Sequence, residues 1–307
     1  MPPIGWYLAQ GLIPLGYDSS DDDEGPAELP DGRLVCGPHG FVTCGKCCVD
    51  FSFMDDVLGA DEDDEEDDDV VNNDIPKLNF NLQPMSRDLT RGTGRVFPTE
   101  FTAPSPLVKP LELFSGRRNH INVTRFTLPS NPSKGLILTD GACLENGRIA
   151  PKAGWAFWHG LGPSGNNLIA SSRLEAQGPF GSPSEQTSNR AELRAVIAAL
   201  RFRHWPGEGF RTLVFATDSE YVVLGSTKWA RNWVENGWVT RKGVAVKNKD
   251  LWEALLGEIE KFKDVGMTVE FWRIPREWNV VADAAAKEAA AEEEAPDQWM
   301  EMIGMAV

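Results

Sequence analysis

The chain has 307 residues, enough for one large domain or two modest ones with a real apolar core. Its 30 Lys+Arg against 46 Asp+Glu leave a formal net charge of −16, which as a single number argues against a polyanionic partner. The distribution reverses that: residues 1–133 carry 10 basic and 23 acidic side chains, residues 134–287 carry 20 and 17, and residues 288–307 carry none and 6. The mildly basic middle is thus free to face a phosphate backbone. No apolar run approaches the roughly 18–20 residues that span a bilayer, so no membrane partner is expected. The start, MPPIGWYLAQGLIPLGYDSSDDDE, has no positive charge before Arg33 and lacks the flank of a secretory signal or the arginines of a mitochondrial presequence. Five cysteines, four of them between Cys36 and Cys48, do not make an extracellular disulfide framework. A nuclear or cytoplasmic chain, not a secreted one, is the expectation.

Residues 1–34 show no sustained period and are expected to be disordered. Residues 35–54 form a Cys/His island in which Cys36, His39, Cys44 and Cys47 follow a C-x2-H-x4-C-x2-C spacing. Such a set can wrap a tetrahedral Zn²⁺ like a compact zinc knuckle, with Gly37, Pro38, Gly40 and Gly45 supplying tight turns. Cys48 can take the place of Cys47, and a reduced cysteine cluster without metal is the alternative. Lys46 is the island's only cation and acids follow at once, which favours a protein partner there over nucleic acid. The uninterrupted acidic run Asp61–Asp69 repels itself and stays extended; it could cover a basic groove. With its many prolines and scattered Phe97, Phe101 and Phe114, the whole stretch 55–133 reads as a linker with docking patches.

From Lys134 the texture becomes that of an α/β domain, extending to about residue 293, with 294–307 as an acidic tail. Strands are predicted at Leu136–Thr139, Trp155–His159, Leu168–Ala176, Leu213–Ala216 and Thr268–Arg273. Helices are predicted from a cap at Ser188, at Glu220–Asn232, at Lys249–Phe262 and from Asn279. Three strands, a helix, a strand, two helices, a strand and a helix make a five-stranded mixed sheet with flanking helices.

Asp140 and Asp218 end two of these strands, Glu192 lies on the first helix and Asp283 one turn into the last. Strand ends of an α/β sheet open onto a common crevice, where acids far apart in sequence can converge. Taken singly, each acid is as well read as a cap or a surface charge. Four together repel one another unless hard divalent cations neutralise them, and two Mg²⁺ or Mn²⁺ ions about 3.5–4 Å apart are a known clamp for phosphodiester hydrolysis.

The segments around these acids are LTDGACLENG (138–147), TSNRAELRA (187–195), ATDSEYVV (216–223), VKNKDLW (246–252) and PREWNVVAD (275–283). In order and spacing they resemble the type 1 ribonuclease H family, over Lys134 to about Ala291. The resemblance implies a ribonuclease H-like fold and an endonuclease that cuts the RNA strand of an RNA–DNA hybrid with two metal ions, leaving 5′-phosphate ends. It assigns Asp140 to both ions, Asp283 to the ion that activates water, and Glu192 with Asp218 to the other. It places RNA 2′-hydroxyl contacts on Asn146, Ser188, Asn189 and Glu192, although Asn146 and Asn189 also suit a turn and a cap. It puts Trp229 near the DNA strand, with Lys228, Arg231, Arg241, Lys242, Lys247 and Lys249 available to phosphates. Trp233, four residues on, is better read as core.

Two departures stand out. Arg273 occupies the place, ten residues before Asp283, where most members carry a loop histidine, and arginine cannot titrate near neutrality. His159 and His204 lie in the wrong segments to replace it. Glu220 puts an acid beside the groove where bacterial members often have Gln. A non-catalytic binding module recruited through the Cys/His island is therefore the rival reading. Oligomeric state is open.

Overall fold

In a computed structural model the described residues are 13–14, 26–30, 32–44, 49–54, 88–119, 122–147 and 149–304. Cys47, the run Asp61–Asp69 and most of the first 25 residues lie outside them. Five short strands come first: β1 (Ile13–Pro14), β2 (Pro26–Glu28), β3 (Leu34–Cys36), β4 (Thr43–Cys44) and β5 (Val49–Asp50). Antiparallel β1–β2–β3 pairing extends into residues 1–34, so the disorder expected there does not hold for the described part. The cause is a turn in which Leu29 N–H donates to Arg33 O at 2.7 Å and Gly32 takes φ 80°, which closes β2 onto β3.

The main sheet contains β6 (Thr99–Glu100), β7 (Arg117–Arg118), β8 (Thr124–Leu128), β9 (Asn131–Leu144), β10 (Lys152–Leu161), β11 (Asn167–Arg173), β12 (Thr212–Thr217) and β13 (Thr268–Arg273). All five predicted strands are present. Strands β9, β10 and β11 form an antiparallel meander, while β12 and β13 add to β9 in parallel. The helices are α1 (Pro110–Leu113), α2 (Ser188–Phe202), α3 (Glu220–Leu224), α4 (Ala230–Glu235), α5 (Lys249–Asp264) and α6 (Val280–Ala291). A π-helical turn, Gly225–Trp229, joins α3 to α4.

Alternation along β9 divides the core. Ile137 and Cys143 face α2 and α5 with Phe215 and Phe271, whereas Leu136 and Leu138 face Phe126, Trp158 and Trp272. With both faces covered, β9 carries apolar side chains at consecutive positions, Leu136 to Leu138, rather than alternating with polar ones. Two glycines let helices that carry acids approach the sheet closely. A Cβ on Gly141 would lie 2.1 Å from Glu192 N, and one on Gly154 would lie 2.3 Å from Ala290 N. Ala286 and Ala290 on α6 permit the second approach by being small.

Three sequence readings need correction. Residues 88–133 are not linker. Phe101 and Phe114 pack on Trp272, β6 adds to β13, and β8 pairs with β9. Upstream, the N–H groups of Thr93 and Gly94 each donate to Glu260 Oε1 at 2.8 Å, and Gly92 sits where a Cβ would strike the α5 backbone. The prolines fall at element boundaries as well: Pro98 precedes β6, Pro110 opens α1 and Pro129 follows β8. The acidic tail is also docked: Arg194 Nη2 donates to Met300 O at 2.6 Å and lies 3.9 Å from the Trp299 ring, Arg201 pairs with Glu301 at 2.7 Å, and Gly304 N–H donates to Phe202 O at 2.9 Å. Of the tail's acids, Glu301 is taken up by a cation on α2. Finally, the cap of α2 is Thr187, whose hydroxyl accepts from Arg190 N–H at 3.3 Å, one residue before Ser188.

Gly141→Ala must force α2 off the sheet. The expected cost is about 1–3 kcal/mol, read as a Tm fall of roughly 5 °C or more by calorimetry; an unchanged Tm would show that the contact yields freely.

Candidate active site

Asp140 projects from the middle of the central strand and is 4 % exposed. Glu192 comes from the first turns of α2, Asp218 from the residue after β12, and Asp283 from the first turn of α6. The structure brings all four together. Burial drives the Asp140 carboxyl well above its ordinary range, and the charges of Asp218, Asp283 and Glu192 push it further. Burial likewise lifts Glu192 to about 8, opposed by a hydroxyl hydrogen bond from Ser219.

Two residues that the sequence reading passed over organise this cluster. Arg276 Nη2 binds Asp283 Oδ1 at 2.9 Å, and its charge also acts on Asp140 and Asp218, which together hold the guanidinium protonated. Asn279, fully buried, donates from Nδ2 to Asp218 Oδ1 at 2.8 Å and to Thr139 O at 3.0 Å. Both lie in the segment PREWNVVAD, ahead of the helix that begins at Val280, so closeness in sequence to Asp283 was the available signal. Lys287 adds a second cation on Asp283 at 2.8 Å.

The donor set fits hard divalent cations. It consists of carboxylate oxygens gathered in one place, of which Asp140 and Glu192 are pushed up by burial and by the neighbouring acids, beside Asn279 Oδ1, buried with no hydrogen-bond partner among the described residues.

Asn146 and Ser188 meet beside these acids, with Asn146 Nδ2 donating to Ser188 Oγ at 3.0 Å; both are buried, as is Asn189. Trp233 packs in the core against Trp252, while half-buried Trp229 sits at the edge of the π-helical turn with exposed Lys228 beside it. The other basic residues scatter. Arg231 stacks on Phe97, Lys249 lies over Trp238, and Lys247 binds Ser52. In VKNKDLW the polar groups serve the scaffold: Asp250 pairs with Arg190 at 2.7 Å, and Asn248 and Trp252 each donate to the Tyr221 hydroxyl at 3.0 Å.

The two departures turn out to be partners. Arg273 Nη2 lies 3.2 Å from Glu220 Oε2, so the unexpected cation and the unexpected acid neutralise each other at the edge of the site. His159 is no substitute base: burial holds it neutral, with a pKa of about 3, in a cluster with Arg125.

Cys36, His39 and Cys44 come together in a group able to hold a metal ion. His39 Nδ1 lies 3.8 Å from Cys36 Sγ and 3.6 Å from Cys44 Sγ.

Among curated proteins, the chain is 42 % identical over 123 residues to Ribonuclease H of Treponema pallidum, covering 39 % of this chain and 69 % of that one. It is 34 % identical over 164 residues to human Ribonuclease H1, covering 52 % of this chain and about half (51 %) of the human protein. Among solved structures, RNase H1 of Halobacterium salinarum matches with a TM-score of 0.32 and 22 % identity, over 51 % of this chain and 96 % of that one. The RNase H family model matches residues 132–291, more than half of the sequence, and the chain belongs to the ribonuclease H family.

Proposed function

We propose that this chain hydrolyses the RNA strand of RNA–DNA hybrids, leaving a 3′-hydroxyl and a 5′-phosphate, at a site that holds two divalent ions. The observation that carries the reading is the convergence of Asp140, Glu192, Asp218 and Asp283 around a buried central-strand carboxylate. Asp140 would serve both ions, Glu192 and Asp218 one of them, and Asp283 the other. Mg²⁺ or Mn²⁺ would supply Lewis acidity for water and phosphate, which no side chain here provides.

The chain's own residues do the rest. Ser219 and Asn279 fix the orientations of Glu192 and Asp218 through hydrogen bonds. Arg276 holds Asp283 and lowers the repulsion among the acids. The Asn146–Ser188 pair, beside Asn189, offers amide and hydroxyl groups to the RNA 2′-hydroxyl, the feature that separates RNA from DNA. Trp229 offers a ring to the DNA strand, and Lys228 a cation to phosphate. Without a titrating residue at 273, proton transfer falls to solvent and turnover is slow.

The direct test is cleavage of a labelled hybrid in Mg²⁺ or Mn²⁺. Cuts confined to RNA are expected, with Asp140→Asn slower by at least about 10³-fold. Binding without cleavage would instead mark a non-catalytic module. Arg273→His with Glu220→Gln should raise turnover near neutral pH by about tenfold or more; an unchanged rate would show that proton transfer is not limiting.

Both large carboxyl shifts are upward, so the folded chain holds protons that the unfolded chain releases, and stability falls as pH rises from the ordinary 4.5 of Glu192 towards about 8. Chelated protein is expected to lose Tm across that window, with Mg²⁺ restoring it and Glu192→Gln flattening the slope. A pH-independent Tm in chelator would contradict the clustering.

The Cys/His group is proposed to hold one structural Zn²⁺, with Cys47 as fourth ligand. Zn–S of about 2.3 Å and Zn–N of about 2.0 Å at a tetrahedral angle require sulfur–nitrogen separations of about 3.5 Å, close to the 3.6 and 3.8 Å found. Elemental analysis should find about one zinc per chain, lost in Cys44→Ser; zinc-free protein with the N-terminal segment still protected from proteolysis would refute it.

A further inference from the structure

The segment after the Cys/His group does not hang free. Strand β5 pairs with β4, Thr43 opposite Asp50 and Cys44 opposite Val49, and Phe51 N–H donates to Val42 O at 2.7 Å. Asp50 Oδ1 accepts from the Thr43 hydroxyl at 3.0 Å and from Ser52 N–H at 2.9 Å, which locks the bend that follows. Beyond it Phe53 is 4 % exposed, with its ring centroid 5.4 Å from both Tyr221 and Trp229. Ser52 Oγ accepts from Lys247 Nζ at 3.2 Å. Asp50 is near enough to Glu192 to add to the repulsion on that carboxylate. At the other end of the hairpin, Thr43 lies against Gly147, next to Asn146. A cavity of about 420 Å³ remains between the segment and the domain, with Asp50 and Phe53 on one wall and Asn189, Arg190 and Lys247 on the other.

This segment uses what a nucleic acid would need. An exposed tryptophan face stacks bases or sugars, and here Phe53 covers it. An exposed lysine pairs with phosphate, and here Ser52 holds it. Asp50 adds negative charge where a phosphodiester must come. A duplex that brings a phosphate to Asp140 cannot share this surface with a buried phenylalanine.

We propose that residues 49–54 form an autoinhibitory strap seated on the nucleic-acid face of the acid cluster, and that hybrid binding requires the strap to lift. The proposal rests on the hybrid-cleavage reading and adds its regulation. The free chain is mostly strapped, so its apparent affinity is reduced by the fraction that is open. The β4–β5 hairpin hangs from Cys44, which makes the Cys/His group the strap's anchor.

The test uses the full chain carrying Asp140→Asn and a labelled RNA–DNA hybrid at one fixed salt concentration. Adding Phe53→Ala is expected to tighten binding about tenfold; equal or weaker affinity overturns the strap. Hydrogen exchange on the chain with Phe53 intact makes the proposal independent of that variant's folding. Saturating hybrid should deprotect the amides of residues 49–54, and increased protection would make the segment part of the binding surface instead, overturning it. If neither chain binds hybrid, the functional reading fails and the strap falls with it; if both bind alike, the strap alone fails.

Discussion

The arrangement of this domain follows from one unfavourable requirement, that a carboxylate be held inside the protein among three others. Asp140 sits in the central strand with almost no exposure, where like charges cost most because water cannot screen them. Its neighbours on β9 show what holds it there. Leu138 and Ala142 share its face and are packed on the far side of the sheet, and a shift of one residue would put all three on the other face. The strand is fixed by apolar packing, and the carboxylate is carried by it.

Close backbone contacts complete the constraint. At Gly141 the helix bearing Glu192 comes within a Cβ of the strand, and at Gly154 the helix bearing Asp283 does the same from the opposite face. The acids therefore approach from two sides of one sheet. Arg276 and Lys287 compensate on the Asp283 side, Asn279 on the Asp218 side, and Ser219 beside Glu192. No cation is paired directly with Asp140 among the described residues; burial first, and then the three neighbouring carboxylates, hold its carboxyl above the ordinary range.

The acids, the five central strands and the core role of Trp233 were legible because each rests on a local signal: an acid inside a recognisable motif, an apolar run, a four-residue spacing; the strand end expected at Asp140 was not, since β9 continues to Leu144. What escaped is non-local. Phe101 and Phe114 belong to a core whose other buried members lie beyond residue 125, so no window over residues 97–118 contains the reason they are ordered. The C-terminal segment is held by Arg194, through Met300 O and the Trp299 ring, and by Arg201, through Glu301, a hundred residues upstream; read alone its acids resemble a solvated tail. Arg276 and Asn279 stand in a recognisable motif, but Asn279 acts on groups 61 and 140 residues away, Asp218 and Thr139, which no local pattern reveals. The Arg273–Glu220 pair is the same lesson: two oddities taken separately are one contact.

The pairing of β6 with β13 has a consequence for how the chain comes to be. Thr99 and Glu100 bond to a strand around residue 270, and Gly304 closes on Phe202, so the sheet edge and the back of α2 are finished only when nearly all the sequence is available. Contacts of such sequence separation slow closure. During synthesis the aromatic face made by Phe101, Phe114 and Phe126 emerges long before Trp272 arrives to cover it, a period of exposure in which a nascent chain invites chaperones. The same order delays the meeting of Asp140 with Asp283, so the electrostatic cost of the cluster arises only once most of the apolar scaffold that bears it is in place.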